Sequence, residues 1–390
     1  MTPGTLDGGT QKRYYEDAYA TAFEASVLAC ENRDGLWHVV LDQTLFFPEE
    51  GGQSPDKGTL NGITVVDVQI KDAVITHVTE APLAVGTRVA GEIDWPHRFS
   101  NMQQHSGEHL FSGIAHNRFG VDNVGFHLSD REVTLDFDNY LTPEQVAETE
   151  RAVNEAITAD IESVVIYPSK EEEAAYDYRS KIAIDGQVRL ISYPGYDLCA
   201  CCAPHVRRTG EIGLLKVMSC QKYKGGVRIS ILCGERAMAA LCAEHDELIR
   251  TARFLSARPT EVYDLVNGLK DEIAALKRQI ATLEEEKMQE VLSRIPAEAE
   301  NIVLFFAGGD SKAARQAVNA LTAAHGGYSA LFIGNDAEGY HFIIGSAKKS
   351  AQTVLNRLKE SLTVRGGGRP EMVEGTVFGS EAAIRASLQV

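Results

Sequence analysis

Gln104-His105-Ser106-Gly107-Glu108-His109-Leu110 (QHSGEHL) lies just past Trp95, where the texture of the chain changes from short strands to helix. Its H-x-x-E-H order is the inverted zinc-protease motif, two histidines for metal and a glutamate for water activation. Its bare H-x-x-x-H spacing is only a pair of ligands that needs partners from elsewhere. Residues 98–118 read as a helix, because Met102, Leu110, Phe111 and Ile114 recur at helical spacing and Gly107 is a modest penalty. His105 and His109 then project from one face and can reach one ion.

A second pair lies roughly a hundred residues on. Cys201-Cys202-Ala203-Pro204-His205 supplies C-x-x-x-H, and three imidazoles with one thiolate form a tetrahedral set that zinc accepts. Cys199 and Cys202 are rival ligands that spacing does not separate from Cys201. The peptidase reading needs an acidic third ligand from a later helix, for which Glu144, Glu148 and Glu150 are candidates. That reading leaves Cys201 and His205 unused.

Working outward, residues 24–93 hold short strand-like runs (EASVLAC, LWHVVLD, ITVVDVQI, AVITHV, RVAGEID) between turn-rich pieces, which predicts a small β-barrel or sandwich. Among the turns, FFPEEGGQSPDKG carries Gly51 and Gly52, which let a backbone approach a ligand, with Thr44 and Gln53 on either side. Strands at 131–137, 187–193, 212–218 and 227–233, with a helix opened by Thr142-Pro143-Glu144, make the middle section α+β. Val262, Val266, Leu269, Ile273, Leu276, Ile280 and Leu283 step alternately by four and three, the a/d spacing of a coiled coil. That short seam suits a dimer zipper or a packed helical hairpin or linker. The remainder alternates strand and helix, an α/β unit ending in VRGGGRPEMVEG. The expected fold is thus α+β and multidomain: a β-barrel domain (1–95), a zinc-binding domain (96–246), a helical coiled-coil linker (247–295) and a C-terminal α/β domain (296–390).

A formal net charge of −17 argues against a polyanion held by overall charge, though not against a local basic patch. Seven cysteines, three of them crowded at 199–202, suit a metal or reduced thiols better than a disulfide framework. No apolar run resembles a signal peptide or approaches membrane-spanning length, so no membrane partner and a cytoplasmic location are expected.

Taken together, FFPEEGGQSPDKG, MQQHSGEHLFSG and CCAPHVRRTGEIG resemble the editing domain that alanyl-tRNA synthetases share with the free-standing AlaX proteins, which deacylate mischarged tRNA. RRTGEIGLLKV with GGVRISILCGERA is similar to the family's second editing subdomain. The helical segment and VRGGGRPEMVEG resemble the synthetase's coiled coil and glycine-rich, DHH-associated C-terminal domain. With no aminoacylation module ahead of it, the chain resembles long-form AlaX. The sequence departs from the family's usual C-G-G-T-H at Cys202, Ala203 and Pro204, and lacks a third glycine in the E-E-G-G-Q loop.

The resemblance implies one zinc ion per chain held by His105, His109, Cys201 and His205, with Cys201 chosen because it completes C-x-x-x-H. It implies an ATP-independent aminoacyl-tRNA hydrolase acting on tRNA-Ala that carries serine, or glycine. Thr44 matches the position that reads the serine hydroxyl, Gln53 contributes to that pocket, and Glu108 is a candidate general base or a bystander carboxylate. Zinc then either positions the substrate amino group or activates water. RNA contacts fall to Arg207, Arg208, Lys222, Lys224 and Arg228, and to Lys348, Lys349, Arg357, Arg365, Gly366, Gly367, Gly368 and Arg369 in the tail domain. A homodimer through the coiled coil or the C-terminal domain is the other partner considered. The rival functions are an H-x-x-E-H metallopeptidase and a tRNA-binding protein with a structural zinc.

Overall fold

The computed structural model describes residues 9–180 and 186–388, so the first eight residues of the expected barrel domain lie outside it. The chain divides into two compact units, Met1–Leu248 and Ile249–Val390.

The first unit begins with β1 (Gln11–Lys12), β2 (Ala22–Arg33), β3 (Leu36–Leu41), β4 (Gln43–Thr44), β5 (Gly58–Leu60), β6 (Ile63–Lys71), β7 (Val74–Thr79) and β8 (Arg88–Ile93). Six of these close into a barrel in the order β2-β3-β7-β6-β5-β8, which leaves no free sheet edge. In β8 the side chains alternate strictly: Val89 and Ile93 point inward, Arg88 and Glu92 outward. The glycine-bearing loop after β4 drives Phe46 and Phe47 into the barrel core.

That loop is stapled to α1 (Trp95–Phe119). Arg98 and Asp56 form a completely buried ion pair, with Arg98 Nε donating to Asp56 Oδ1 at 2.8 Å. The same guanidinium donates to the carbonyls of Leu45 and Ala18. A buried charge is tolerable only when paired and hydrogen-bonded in this way.

α1 is capped by Asp94, which accepts from the His97 N–H at 3.1 Å, with a proline in the first turn. Residues 101–115 of this helix are buried on every side although many are polar. The polar groups are matched by other elements: Gln104 donates to the Cys233 carbonyl (2.9 Å) and accepts its N–H (2.7 Å), like a strand neighbour. Gly107 has a packing reason that the helix pattern alone did not supply. A Cβ there would lie 2.3 Å from Cys233 Sγ.

The rest of the unit comprises β9 (Asn123–Leu128), β10 (Val133–Phe137), α2 (Pro143–Thr158), β11 (Val164–Ile166), α3 (Lys170–Glu173), β12 (Leu190–Tyr193), β13 (Asp197–Ala200), β14 (Leu215–Tyr223), β15 (Gly226–Cys233) and α4 (Gly234–Phe254), which runs across the unit boundary. A four-stranded sheet, β14-β15-β10-β9, packs Leu135, Val227, Ile229 and Ile231 against Phe111 and Ile114 of α1 and Val146 and Val153 of α2. A three-stranded sheet, β11-β12-β13, approaches α1 from another side; a Cβ on Gly113 would come within 2.6 Å of Asp197 Cβ.

The second unit contains α5 (Val262–Ser293), β16 (Ile302–Phe306), α6 (Ser311–Ala324), β17 (Ser329–Asn335), β18 (Gly339–Gly345), α7 (Ala351–Ser361), β19 (Thr363–Arg369), β20 (Met372–Phe378) and α8 (Glu381–Leu388). Its sheet order is β16-β17-β18-β20-β19, with only β16 and β17 parallel. The glycine run 366–368 is not a loop. It forms the middle of edge strand β19, because Met372–Phe378 supplies the ladder that glycines cannot specify themselves. Among the described residues, no helix is long and apolar enough to cross a membrane.

Candidate metal centre

The geometry gathers His105, His109, Cys201 and His205, whose ligand atoms all lie within 4.8 Å of one another. Cys201 Sγ is 3.5 Å from His105 Nε2 and 3.3 Å from His205 Nε2. Tetrahedral zinc with bonds of about 2.1 Å to nitrogen and 2.3 Å to sulfur places those atoms about 3.5 Å apart. The donor set and spacing therefore fit zinc. The ligand loop is held by Arg189, which donates to the carbonyls of Cys201 (2.8 Å) and Ala203 (3.0 Å).

Each imidazole is aimed by a partner at its other nitrogen. His105 Nδ1 donates to Gln53 Oε1 at 2.7 Å, and His109 Nδ1 donates to Asp197 Oδ2 at 3.0 Å. His205 Nδ1 meets Ser106 Oγ at 3.1 Å and the Tyr193 hydroxyl at 3.3 Å. Asp197 also accepts from Arg179 Nε at 2.8 Å. A proton fixed at Nδ1 leaves the Nε2 lone pair for metal, the arrangement that orients ligating histidines.

The ligands also shift one another's ionisation. Burial opposes ionisation of Cys201, but the charges of His105 and His205 and hydrogen bonds from His105 and His109 outweigh it and hold the thiol well below its usual range. Burial lowers His109, yet hydrogen bonds with Asp197 and Cys201 raise it to about 9. His205 falls to about 3, chiefly through burial. The rival cysteines differ: burial raises both Cys199 and Cys202, and neither joins the four-ligand group. Cys199 does lie with His109 and Asp197 in a second possible group, but Asp197 is already engaged by His109 and Arg179.

The carboxylates that a peptidase would use are elsewhere. Glu148 pairs with Arg118 and Glu150 with Lys216, while Glu144 sits exposed in the first turn of α2; none joins a described ligand group. Glu108 is buried beside the cluster, its Oε2 3.9 Å from His109 Nε2. Its Oε1 accepts from Ser112 Oγ (2.8 Å) and Asn123 Nδ2 (2.7 Å). A cavity of about 460 Å³ borders Asn123, Arg179 and Asp197.

The glycine loop reaches this site through more than Gln53. A Cβ on Gly51 would lie 3.3 Å from Cys202 Sγ, and one on Gly52 would lie 2.3 Å from the Phe126 carbonyl. The Phe126 ring is in turn 4.7 Å from that of His105. Thr44 is buried in the barrel, its hydroxyl 2.8 Å from His77 Nε2 and accepting the Phe46 N–H at 3.0 Å, with no hydrogen bond to the ligand cluster.

The basic residues divide into engaged and available. Arg207 pairs with Asp17 and stacks over Tyr19, Arg208 pairs with Asp160, and Arg228 forms a two-pronged pair with Asp136. Lys222 and Lys224 lie over Tyr140 and Tyr223 at the β14–β15 hairpin. Arg365, Gly366, Gly367, Gly368 and Arg369 line β19 of the second unit. Sequence reasoning missed Asp197, Arg179, Arg189, Ser106, Tyr193 and Asn123. They contact the site only through tertiary packing, and Asp197 reads locally as a turn residue.

The family "tRNA synthetases class II (A)" matches residues 15–97, and "Threonyl and Alanyl tRNA synthetase second additional domain" matches residues 188–230. The chain is 27% identical to the alanyl-tRNA editing protein Aarsd1 of Mus musculus over 398 residues, covering 96% of each. It is 32% identical to the Bos taurus protein of the same name, covering 60% of this chain and 56% of that one. The alanine–tRNA ligase of Halobacterium salinarum is 32% identical over 86% of this chain, which spans 38% of the ligase's length. A manganese-bound RecJ exonuclease overlaps 34% of this chain and 31% of its own at 26% identity with a TM-score of 0.24, too slight to bear on the fold. Two family matches coincide with the barrel and the ligand loop just described, and the chain is similar over nearly its whole length to named alanyl-tRNA editing proteins.

Proposed function

We propose that this chain hydrolyses the ester of tRNA-Ala mischarged with serine, and secondarily with glycine, in a zinc-dependent reaction. The observation that carries this is the buried His105–His109–Cys201–His205 cluster with the Gly51–Gly52 loop packed against it. Serine exceeds alanine by one hydroxyl, which a small apolar synthetic pocket rejects poorly, so a separate hydrolytic site is the remedy.

Bound zinc would supply a Lewis acid that either positions the substrate's amino group or acidifies a water. The protein's own groups do the rest. Gln53 and Asp197 keep His105 and His109 oriented. Glu108, anchored by Ser112 and Asn123, offers a carboxylate oxygen beside His109 to take a proton. Thr44 is the reader of the serine hydroxyl. His77 is buried and pushed down to about 4 by that burial, so it is neutral at pH 7. With His77 Nδ1 against the Val39 carbonyl, Nε2 accepts the Thr44 proton. Thr44 also accepts the Phe46 N–H, so a lone pair remains for a hydroxyl that donates. Lys222, Lys224 and the β19 basic residues are the proposed phosphate contacts, with binding that weakens steeply with salt.

The four-ligand set also favours a second reading, in which zinc is structural and the chain only binds tRNA, because a closed tetrahedral site leaves no open position. Purified protein incubated with Ser-tRNA-Ala and Ala-tRNA-Ala separates the two. Faster release of serine supports the deacylase; tRNA binding without release supports the structural reading. The peptidase alternative is tested by Cys201→Ala, which removes zinc under the four-ligand assignment and leaves it in place under the H-x-x-E-H assignment.

A further inference from the structure

β14 and β15 are joined by two residues, Lys224 and Gly225, between the paired Tyr223 and Gly226. Lys224 has φ +45° and Gly225 φ +90°, the signature of a type I′ hairpin. Such turns take Asn, Asp or Gly at the first position, so lysine is strained there. The hairpin presses against the chain that follows β10. A Cβ on Gly226 would collide with the Phe137 carbonyl oxygen and lie 2.9 Å from the Asn139 amide nitrogen. Tyr140, next along that chain, is 47% exposed.

A cavity of about 530 Å³ opens at this corner, lined by Tyr140, Lys222, Tyr223, Lys224, Gly225 and Gly226. None of the six is acidic, although the chain carries a net charge of −17. Lys222 Nζ stands 5.9 Å from the Tyr140 ring centroid and Lys224 Nζ 5.0 Å from that of Tyr223. Neither lysine has a carboxylate partner among the described residues. Arg228 backs Tyr223 at 3.9 Å while its own charge is matched by Asp136. Tyr223 is thus a braced wall and Tyr140 an open aromatic face. Aromatic faces set among cations hold single-stranded nucleic acid through stacking and phosphate contacts. A paired base would not serve, because its faces are already stacked within the duplex.

The sheet register fixes how far this cleft lies from the metal ligands. Lys222 pairs with Val227, Val227 with Phe137, and Phe137 with Asn123, in one row across four strands. Three steps of about 4.8 Å place Lys222 about 14 Å from Asn123. Asn123 donates to Glu108 beside His109. A stacked strand advancing about 3.4 Å per nucleotide covers that distance in about four nucleotides, the scale of the unpaired 3′ end of a tRNA. We propose that the cleft seats an unpaired nucleotide of that 3′ strand, its base on Tyr140 against the Tyr223 wall and its flanking phosphates on Lys222 and Lys224. The proposal rests on the tRNA substrate proposed for the metal centre and assigns the strand, rather than the stem, to this hairpin.

Fluorescence anisotropy on the full chain tests it, with a tRNA-Ala transcript and the same transcript lacking its unpaired 3′ nucleotides. The native chain should bind the intact transcript more tightly. Tyr140→Ala should weaken binding of the intact transcript about 5-fold to 150-fold and leave the shortened one unaffected, while Tyr140→Phe keeps the stacking face and the affinity. The salt dependence should be unchanged in Tyr140→Ala and shallower by about 0.7 in log–log slope in Lys222→Ala. Lys224→Asn suits the turn, so it should weaken binding with no loss in the urea midpoint. Serine release from Ser-tRNA-Ala is followed in parallel. A native chain that releases serine but binds both transcripts equally, or a Tyr140→Ala chain that loses as much on the shortened one, overturns this cleft alone. A native chain that binds neither transcript overturns the tRNA substrate with it.

Discussion

Asp197→Asn probes the design of the candidate metal centre most sharply. The Asp197 side chain is 1% exposed and accepts from two donors, His109 Nδ1 at 3.0 Å and Arg179 Nε at 2.8 Å. Asparagine preserves the shape but offers one carbonyl oxygen for both donors and turns its own NH2 toward whichever it does not serve. If His109 loses its acceptor, its ring is no longer fixed with Nε2 toward the metal. Loss of such an orienting partner costs about 10–100-fold in metal affinity, or about 1.4–2.8 kcal/mol. Arg179 meanwhile loses its counter-charge, and breaking a buried pair costs about 3–5 kcal/mol. The lower end applies because the Arg179 side chain retains 13% exposure. Competition against a chromophoric zinc chelator measures the first effect and urea unfolding the second. Arg179→Met keeps the Asp197–His109 contact, so it should lower stability with a much smaller change in zinc affinity. A folded Asp197→Asn protein that binds zinc as tightly as the native chain would refute the reasoning.

Other outcomes follow from the same geometry. Arg98→Met leaves Asp56 buried without a counter-charge and should cost about 3–5 kcal/mol in urea unfolding, followed by fluorescence of Trp37 and Trp95; adding Asp56→Asn should recover part of the loss. His77 is lowered to about 4 by burial, so the unfolded chain binds the proton more tightly and stability falls as pH drops from about 6.5 to 4. The drop attributable to His77 between pH 7 and 4.5 is roughly 2–3 kcal/mol, and His77→Phe should remove it from the urea midpoints at the two pH values. Gly52→Ala adds a Cβ at φ +83°, 2.3 Å from the Phe126 carbonyl, so the loop must shift. Since small misplacements are severe for catalysis, serine release should fall at least about tenfold, with zinc content unchanged because all four ligands remain.

What could be read in the sequence was local. H-x-x-x-H and C-x-x-x-H reveal themselves because a helix turn and a short loop fix their spacing, and family resemblance singled out Cys201 from its neighbours. Five of the six barrel strands were legible from alternation and turns, while β5 begins at the last residue of the turn-rich FFPEEGGQSPDKG stretch. β9 was missed, since NVGFHL has no clean period, and the strands of the glycine tail were missed because glycine carries no pattern. Gly107 read as a helix penalty although its reason is the approach of Cys233. Glu108 looked like a protease base by order alone, whereas its surroundings are Ser112 and Asn123. Arg207, Arg208 and Arg228 read as free cations, but each is matched to a carboxylate that only folding brings near.

The most direct test of the central claim is a single comparison: ester hydrolysis of Ser-tRNA-Ala and Ala-tRNA-Ala by the native zinc-loaded chain, with Cys201→Ala as the metal-site control. The account predicts rapid release of serine, slow release of alanine, and loss of both zinc and serine release in Cys201→Ala. Equal rates for the two substrates, or no hydrolysis of either by the zinc-loaded protein, would contradict it.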